Sequence, residues 1–177
     1  MTYDILADSS FYICYLDDIN NCEALNKIID KFDFYLTNII KSEICSSKNY
    51  NNIEKNQNLK DYSPFFHIEK ILEPFFSKEE IRKGEHEIMA YSFLWDYLNI
   101  IHFTIIDDEP ARKFIEKNIP IIIPYMNRTA RFTADCYVIY SIFSKEYALY
   151  LLDSIDKSNF RIKNEHIIYL KKYVEEN

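Results

Sequence analysis

The stretch Asp4-Ile5-Leu6-Ala7-Asp8-Ser9-Ser10 decides the fold. Residues 4–7 form a short apolar run with the length of a buried strand. Asp8, Ser9 and Ser10 then favour turns and helix N-caps. The reading is a strand that delivers a carboxylate at its C-terminal end. Helical segments are expected over Phe11–Leu16 and Glu23–Lys31, and a second apolar run, Phe32–Leu36, ends at Thr37-Asn38, again with capping chemistry. Strand, helices, strand is the start of an α/β unit.

The rest of the chain extends the pattern. A helix from Thr37 places Glu43 beside an inward stripe of Ile40 and Ile44. Ser46–Ser63, rich in Asn, Lys and Ser, predicts a mobile loop. Phe65–Phe76 is aromatic and amphipathic with Pro74 limiting any helix, and Ser77-Lys78-Glu79-Glu80 has the form of a capped helix start. Gly84-Glu85-His86-Glu87 opens an apolar helix, Ile88–Leu98, with Ile88, Tyr91, Trp95 and Leu98 at helical spacing. Ile100–Ile106 reads as a strand that ends at Asp107-Asp108-Glu109-Pro110, where acids and a proline suit the first turn of a helix over Ala111–Lys117. A short strand over Ile119–Ile123 and helices over Thr129–Phe143, Lys145–Asp156 and Glu165–Glu175 complete the expectation. The fold class is α/β: one domain over residues 1–177, a central parallel sheet flanked by helices, and a helical C-terminus.

Composition narrows the function. The 177 residues suffice for one core without disulfides or a structural metal. Hydrophobic residues at 48% and charged residues at 28% exclude whole-chain disorder. A single Gly stands against 15 Tyr and 13 Phe, an imbalance of the kind an AT-rich coding bias produces. It excludes the P-loop and the dinucleotide fingerprint, both of which need several glycines. The net charge of −7 provides no global field for nucleic acid. A cluster of site carboxylates offset by divalent metal, with a local basic patch, weakens that objection. Cys14, Cys22, Cys45 and Cys136 form no C-x-x-C pair and have no metal-type spacing with the four histidines, and Met1–Leu6 is not signal-like, so a reducing cytoplasm is expected. Apolar runs such as Ile119–Tyr125 are far too short for a membrane span.

Two β-to-α turns bring Asp8 and the Asp107–Asp108 pair to the carboxyl edge of the sheet, where open parallel sheets bind ligands. Glu43 and Glu87 lie near the starts of apolar helices and could join them. Converging carboxylates raise one another's pKa or take a counter-ion, and hard oxygen ligands suit Mg2+ or Mn2+. Such a site hydrolyses a phosphodiester without a covalent enzyme intermediate.

At these residues the sequence resembles the PIN-domain nucleases, in order along nearly the whole chain. Asp8-Ser9-Ser10 is similar to the family's first acidic motif and Lys41-Ser42-Glu43-Ile44 to its glutamate-bearing helix. Gly84-Glu85-His86-Glu87 with Ile88–Leu94 resembles the Gly-Glu-x-Glu helix of one branch, and Asp107-Asp108-Glu109-Pro110-Ala111-Arg112 the acidic turn with its Arg-bearing helix. Ala148–Leu152, Phe160-Arg161-Ile162 and Ile167–Leu170 resemble that branch's C-terminal helices. Ile106, Asn118 and an enlarged 46–63 loop depart from the pattern. The resemblance implies a metal-dependent endoribonuclease with Mg2+ or Mn2+, often the toxin of a toxin–antitoxin pair or a defence effector. Asp8, Glu43, Glu87 and Asp108 would then be the catalytic set. Asp107 competes with Asp108 as a metal ligand, and Asp108 is preferred as the nearer to the helix start. The partners implied are RNA, an antitoxin protein and a second copy of the chain, with no membrane.

Each residue also has a plainer reading. Asp8 caps a helix, Asp108 and Arg112 form an i,i+4 ion pair, and Glu43, Glu85 and Glu87 are solvated helix charges. The four histidines, His67, His86, His102 and His166, share no spacing and are incidental. Arg112, Arg128 and Arg131 face solvent or phosphate, and Tyr91 and Trp95 belong to the core. Two alternatives to the ribonuclease follow: a non-catalytic PIN-like interaction module, and a nuclease acting on DNA.

Overall fold

The structure is a computed structural model and describes residues 3–62, 70, 73–74, 83–100 and 102–177. The expected aromatic segment over 65–76, apart from Lys70, Glu73 and Pro74, lies outside the described residues, as do the helix start at 77–80 and His67. Five strands form one parallel sheet in the order β3-β2-β1-β4-β5. They are β1 (Asp4–Ala7), β2 (Asp33–Thr37), β3 (Leu59–Tyr62), β4 (His102–Ile105) and β5 (Met126–Asn127). Ile5, Leu6 and Ala7 of the central strand are fully buried, as a strand covered on both faces must be.

The connectivity explains where a ligand would sit. The chain steps outward from β1 to β2 to β3, then returns to place β4 on the other side of β1, with Leu6 opposite Thr104 and Ala7 opposite Ile105. The winding direction reverses between β1 and β4, which opens a crevice at their carboxyl ends. Asp8 follows β1 and Asp107 follows β4 by two residues, so both acids lie at that crevice.

The helices are α1 (Ser9–Ile13), continued by a π-turn over Cys14–Asp18, α2 (Cys22–Ile29), α3 (Asn38–Ile44), α4 (Gly84–Tyr97), α5 (Glu109–Asn118), α6 (Thr129–Val138), α7 (Lys145–Lys157) and α8 (Asn164–Glu176). Side-chain caps start most of the early ones: Asp8, Asn21, Thr37 and Asp108 accept from the amides of Phe11, Ala24, Ile40 and Ala111. The last three helices pack on one another as the expected helical C-terminus. Phe11 stacks on Phe34 at 5.5 Å between ring centroids and meets Tyr12, Tyr15 and Phe132 edge-on, which ties α1, β2 and α6 into one aromatic core.

Three expectations need correction. The described part of the loop expected over 46–63, residues 46–62, holds a 3-10 turn (Tyr50–Asn52) and ends in strand β3. Tyr50 and Ile53 anchor the segment in the core. Its asparagines serve as backbone partners, Asn49 Nδ2 donating to Leu16 O (2.7 Å) and Asn58 Nδ2 to Ile29 O (3.1 Å). The strand expected at Ile119–Ile123 is a 3-10 helix over Pro120–Tyr125, because Pro120 and Pro124 have no N–H for a ladder. Strand β5 comes after it. The helix expected to reach Phe143 ends at Val138; the chain turns through Ser141 (φ 53°) so that Ile142 N and Phe143 N both donate to Cys136 O. Asn20 and Asn99 also take positive φ, at 48° and 57°.

Candidate active site

Asp8 is 4% exposed and carries two duties at once. Its Oδ1 caps α1, accepting from Phe11 N (3.2 Å) and Ser10 Oγ (2.6 Å). Its Oδ2 accepts from the backbone N–H of Asp107 at 3.1 Å, and its own N–H donates to Ile105 O at 3.0 Å. The capping reading is thus correct but incomplete. Burial, and then the neighbouring Asp107 carboxylate, push Asp8 up to about 7.

Asp107 is the partner. Its carboxylate accepts from Thr129 N (3.1 Å) and from the Thr129 hydroxyl. Burial raises its pKa, while the two Thr129 donors and then the charges of Arg128 and Arg112 pull it back. Asp108 is exposed and caps α5 through Ala111 N at 2.8 Å. The structure places Asp107, not Asp108, beside Asp8: the residue directly after the β4 extension turns inward, and the next one caps. Arg112 makes no ion pair with Asp108 among the described residues. Its Nη1 instead donates to Ile106 O and Asn127 O, both at 3.1 Å, clamping the ends of β4 and β5. Arg131 also departs from a solvent-facing role, since it pairs with Asp135 (3.0 Å) and covers the Tyr173 ring at 4.1 Å.

Glu43 and Glu87 form a second pair where α3 meets α4. Glu87 is raised by burial first and by Glu43 as well, with Thr37 and the Ile39 backbone pulling the other way. Its Oε2 is buried and has no hydrogen-bond partner among the described residues. Gly84, the chain's only glycine, permits this approach. A Cβ there would lie 2.5 Å from Ile40 Cδ1 and 2.9 Å from Glu43 Oε2. Glu85 is half-buried in the first turn of α4.

The predicted acids thus stand as two pairs, Asp8 with Asp107 and Glu43 with Glu87. Among the described residues, no three His, Cys, Asp or Glu side chains come close enough together to hold a metal ion. The chemistry of the two pairs still fits a hard divalent cation. Asp8 and Asp107 repel each other in a buried crevice, and Glu87 presents an unpartnered buried oxygen.

Sequence reasoning missed Thr129 and the true place of Arg112. The signal was present in Asn127-Arg128-Thr129, which follows β5 at the same sheet edge, but it was hidden by assigning the strand to residues 119–123. Tyr91 and Trp95 are buried in the core as expected. His102 is buried between Ser92 Oγ (2.9 Å) and Ile100 O (2.8 Å), consistent with an incidental core histidine. Among the described residues, no helix is long and apolar enough to cross a membrane. Comparison with family models, curated proteins and solved structures returns no match.

Proposed function

We propose that the chain is a metal-dependent endoribonuclease of PIN-domain type, acting as a toxin or defence effector in the cytoplasm. The observation that carries this reading is the pairing of buried Asp8 with half-buried Asp107 at the switch point of the sheet. Two carboxylates side by side in that crevice bind a cation or share a proton. Asp8 and Asp107 would hold Mg2+ or Mn2+, with Glu43 and Glu87 as the further acids of the site. The chemistry a hard divalent cation supplies is activation of water and stabilisation of the leaving oxygen. The chain's own contribution is orientation. Thr129 and the Asp107 amide fix the two aspartates, and Arg112 holds the strand ends that carry them.

The test is cleavage of a labelled single-stranded RNA, with single-stranded DNA alongside, by the wild type and by Asp8→Asn in Mn2+. Cleavage by the wild type, lost in the variant and in chelator, is expected. Equal cleavage by both proteins, or none by either, defeats the proposal, and preferential DNA cleavage moves the substrate. An antitoxin partner would be sought as a protein that co-purifies with the chain and suppresses the cleavage.

A second reading, a non-catalytic interaction module, draws on the separation of the acids into two pairs. Calorimetric titration with Mn2+ distinguishes the two. Heat of binding that disappears in Asp8→Asn supports the enzyme, and its absence from the wild type supports the module.

A further inference from the structure

Next to Asp107 the surface opens into a cleft of about 880 Å3 whose lining is divided by charge. Asp107 and Asp108 contribute from the sheet edge, and Asp18 from the end of the π-turn after α1. Arg161, Lys163 and His166 contribute from the turn between α7 and α8 and from the first turn of α8. Arg128 and Lys113 also line the cleft, but Glu109 engages both, at 2.6 Å and 4.0 Å. Arg161 and Lys163 differ from them. Both are exposed and neither has an ion pair among the described residues.

The end of α8 adds to this. Lys163 is its N-cap and supplies no side-chain cap, so the first amides of a 13-residue helix are left without that partner beside the cleft. Glu165 in the first turn offsets part of the field but does not line the cleft. In a chain of net charge −7, two cations without ion pairs among the described residues and a helix N-terminus, on the wall of the cleft supplied by α8 and the turn before it, form a local anion site beside Asp107.

We infer that this cleft binds the phosphodiester backbone of a single-stranded nucleic acid. Arg161 and Lys163 contact phosphates and hold the strand over the Asp8–Asp107 pair. This assignment rests on the nuclease reading for its purpose, but binding is measurable without cleavage. A single strand fits better than a duplex because Asp8 is only 4% exposed, and a flexible strand reaches a recessed pair that two backbones on a convex cylinder do not. Half-buried Phe160, in the same lining, offers an aromatic surface to a base. Arginine suits phosphate through paired donors, and neither contact reads sequence, so binding should be tolerant of base identity.

The experiment is fluorescence anisotropy of a labelled single-stranded oligouridylate across a salt series. The full chain carries Asp8→Asn throughout, which keeps the probe intact. Adding Arg161→Glu with Lys163→Glu should weaken binding at least about tenfold and flatten the logarithmic salt slope by about one to two. Lys31→Glu with Lys55→Glu makes the same charge change at exposed residues away from the cleft and should stay within about twofold. The Gln versions of Arg161 and Lys163 serve if the Glu pair fails to fold. The inference is overturned by equal losses in both pairs, by an unchanged slope, or by no binding of the probe. It is also overturned if polyglutamate displaces the probe as well as an unlabelled strand does, since the occupant is then an acidic peptide. Binding without cleavage by the wild type would remove the nuclease reading and leave the cleft assignment standing. Cleavage by the wild type, with normal binding by the Arg161/Lys163 variant in the Asp8→Asn background, would do the reverse.

Discussion

The Asp8–Asp107 pair and the Glu43–Glu87 pair are held by different means. The aspartates have short side chains, follow strands locked in register, and are tied by backbone donors: the Asp107 amide to one, the Thr129 amide to the other. The glutamates have longer side chains on two helices, and their approach depends on what Gly84 lacks. Hydrogen bonds to the sheet edge set the first pair, whereas packing sets the second. The aspartate pair is therefore rigid, and the glutamate pair can adjust by rotamers around an unpartnered Glu87 oxygen.

The largest effect that would sharpen this comparison is on turnover. Asp8→Asn or Asp107→Asn is expected to lower Mn2+-dependent RNA cleavage by roughly a thousandfold or more, and Glu43→Gln by about 10–100-fold, read as kcat/KM. Equal losses at the two pairs would erase the distinction. Gly84→Ala comes next, at about 1–3 kcal/mol of destabilisation by urea unfolding, because the new methyl meets Ile40 Cδ1 and Glu43 Oε2. Ile40→Val removes that Cδ1, so the double variant should recover part of the loss. No recovery would show that the constraint lies in the Glu43 carboxylate.

A third prediction concerns pH. The folded-state value of Asp8 is raised from 3.8 to about 7. Its contribution to stability is therefore fully present below the ordinary value and is lost as pH rises toward about 7. In chelator, Asp8→Asn should gain about 1–3 kcal/mol relative to the wild type between about pH 4 and pH 8, on top of a pH-independent loss because its amide nitrogen cannot accept from the donors that Asp8 binds. Glu87→Gln should act in the same direction, since its pKa is also raised. Its gain should be smaller, because Thr37 and the Ile39 backbone oppose the shift and Glu87 is only half-buried. Melting temperatures of the three proteins across pH would decide it.

Legibility in the sequence followed the strength of the local signal. Strands β1, β2 and β4 were readable because each is an apolar run closed by a capping residue: Asp8, Thr37 or the acids after Ile106. Strand β3 was not, because an edge strand needs few apolar side chains, and Leu59 and Tyr62 are flanked in the sequence by Asn58, Lys60, Asp61 and Ser63. Strand β5, with only Met126 and Asn127, carries no periodicity at all. At the site, the order of the acids was visible, but the choice between Asp107 and Asp108 was not. Either suits a cap, and only the path of the chain after Ile105 turns one inward. Thr129 was invisible for the same reason as β5. The division into two pairs is a tertiary fact that depends on how α3 and α4 cross.

The lone glycine has a further effect far from the site. A chain that retains glycine only at residue 84 must make its left-handed turns with other residues, and among the described residues they are Asn20, Asn99 and Ser141. Asparagine tolerates that conformation; serine has less to gain from it. Ser141→Gly should therefore raise the unfolding free energy slightly, by a few tenths of a kcal/mol once the added freedom of the unfolded chain is subtracted. Such a substitution offers a mild stabiliser, remote from both acid pairs, in which damaging site variants can be kept folded long enough to be measured.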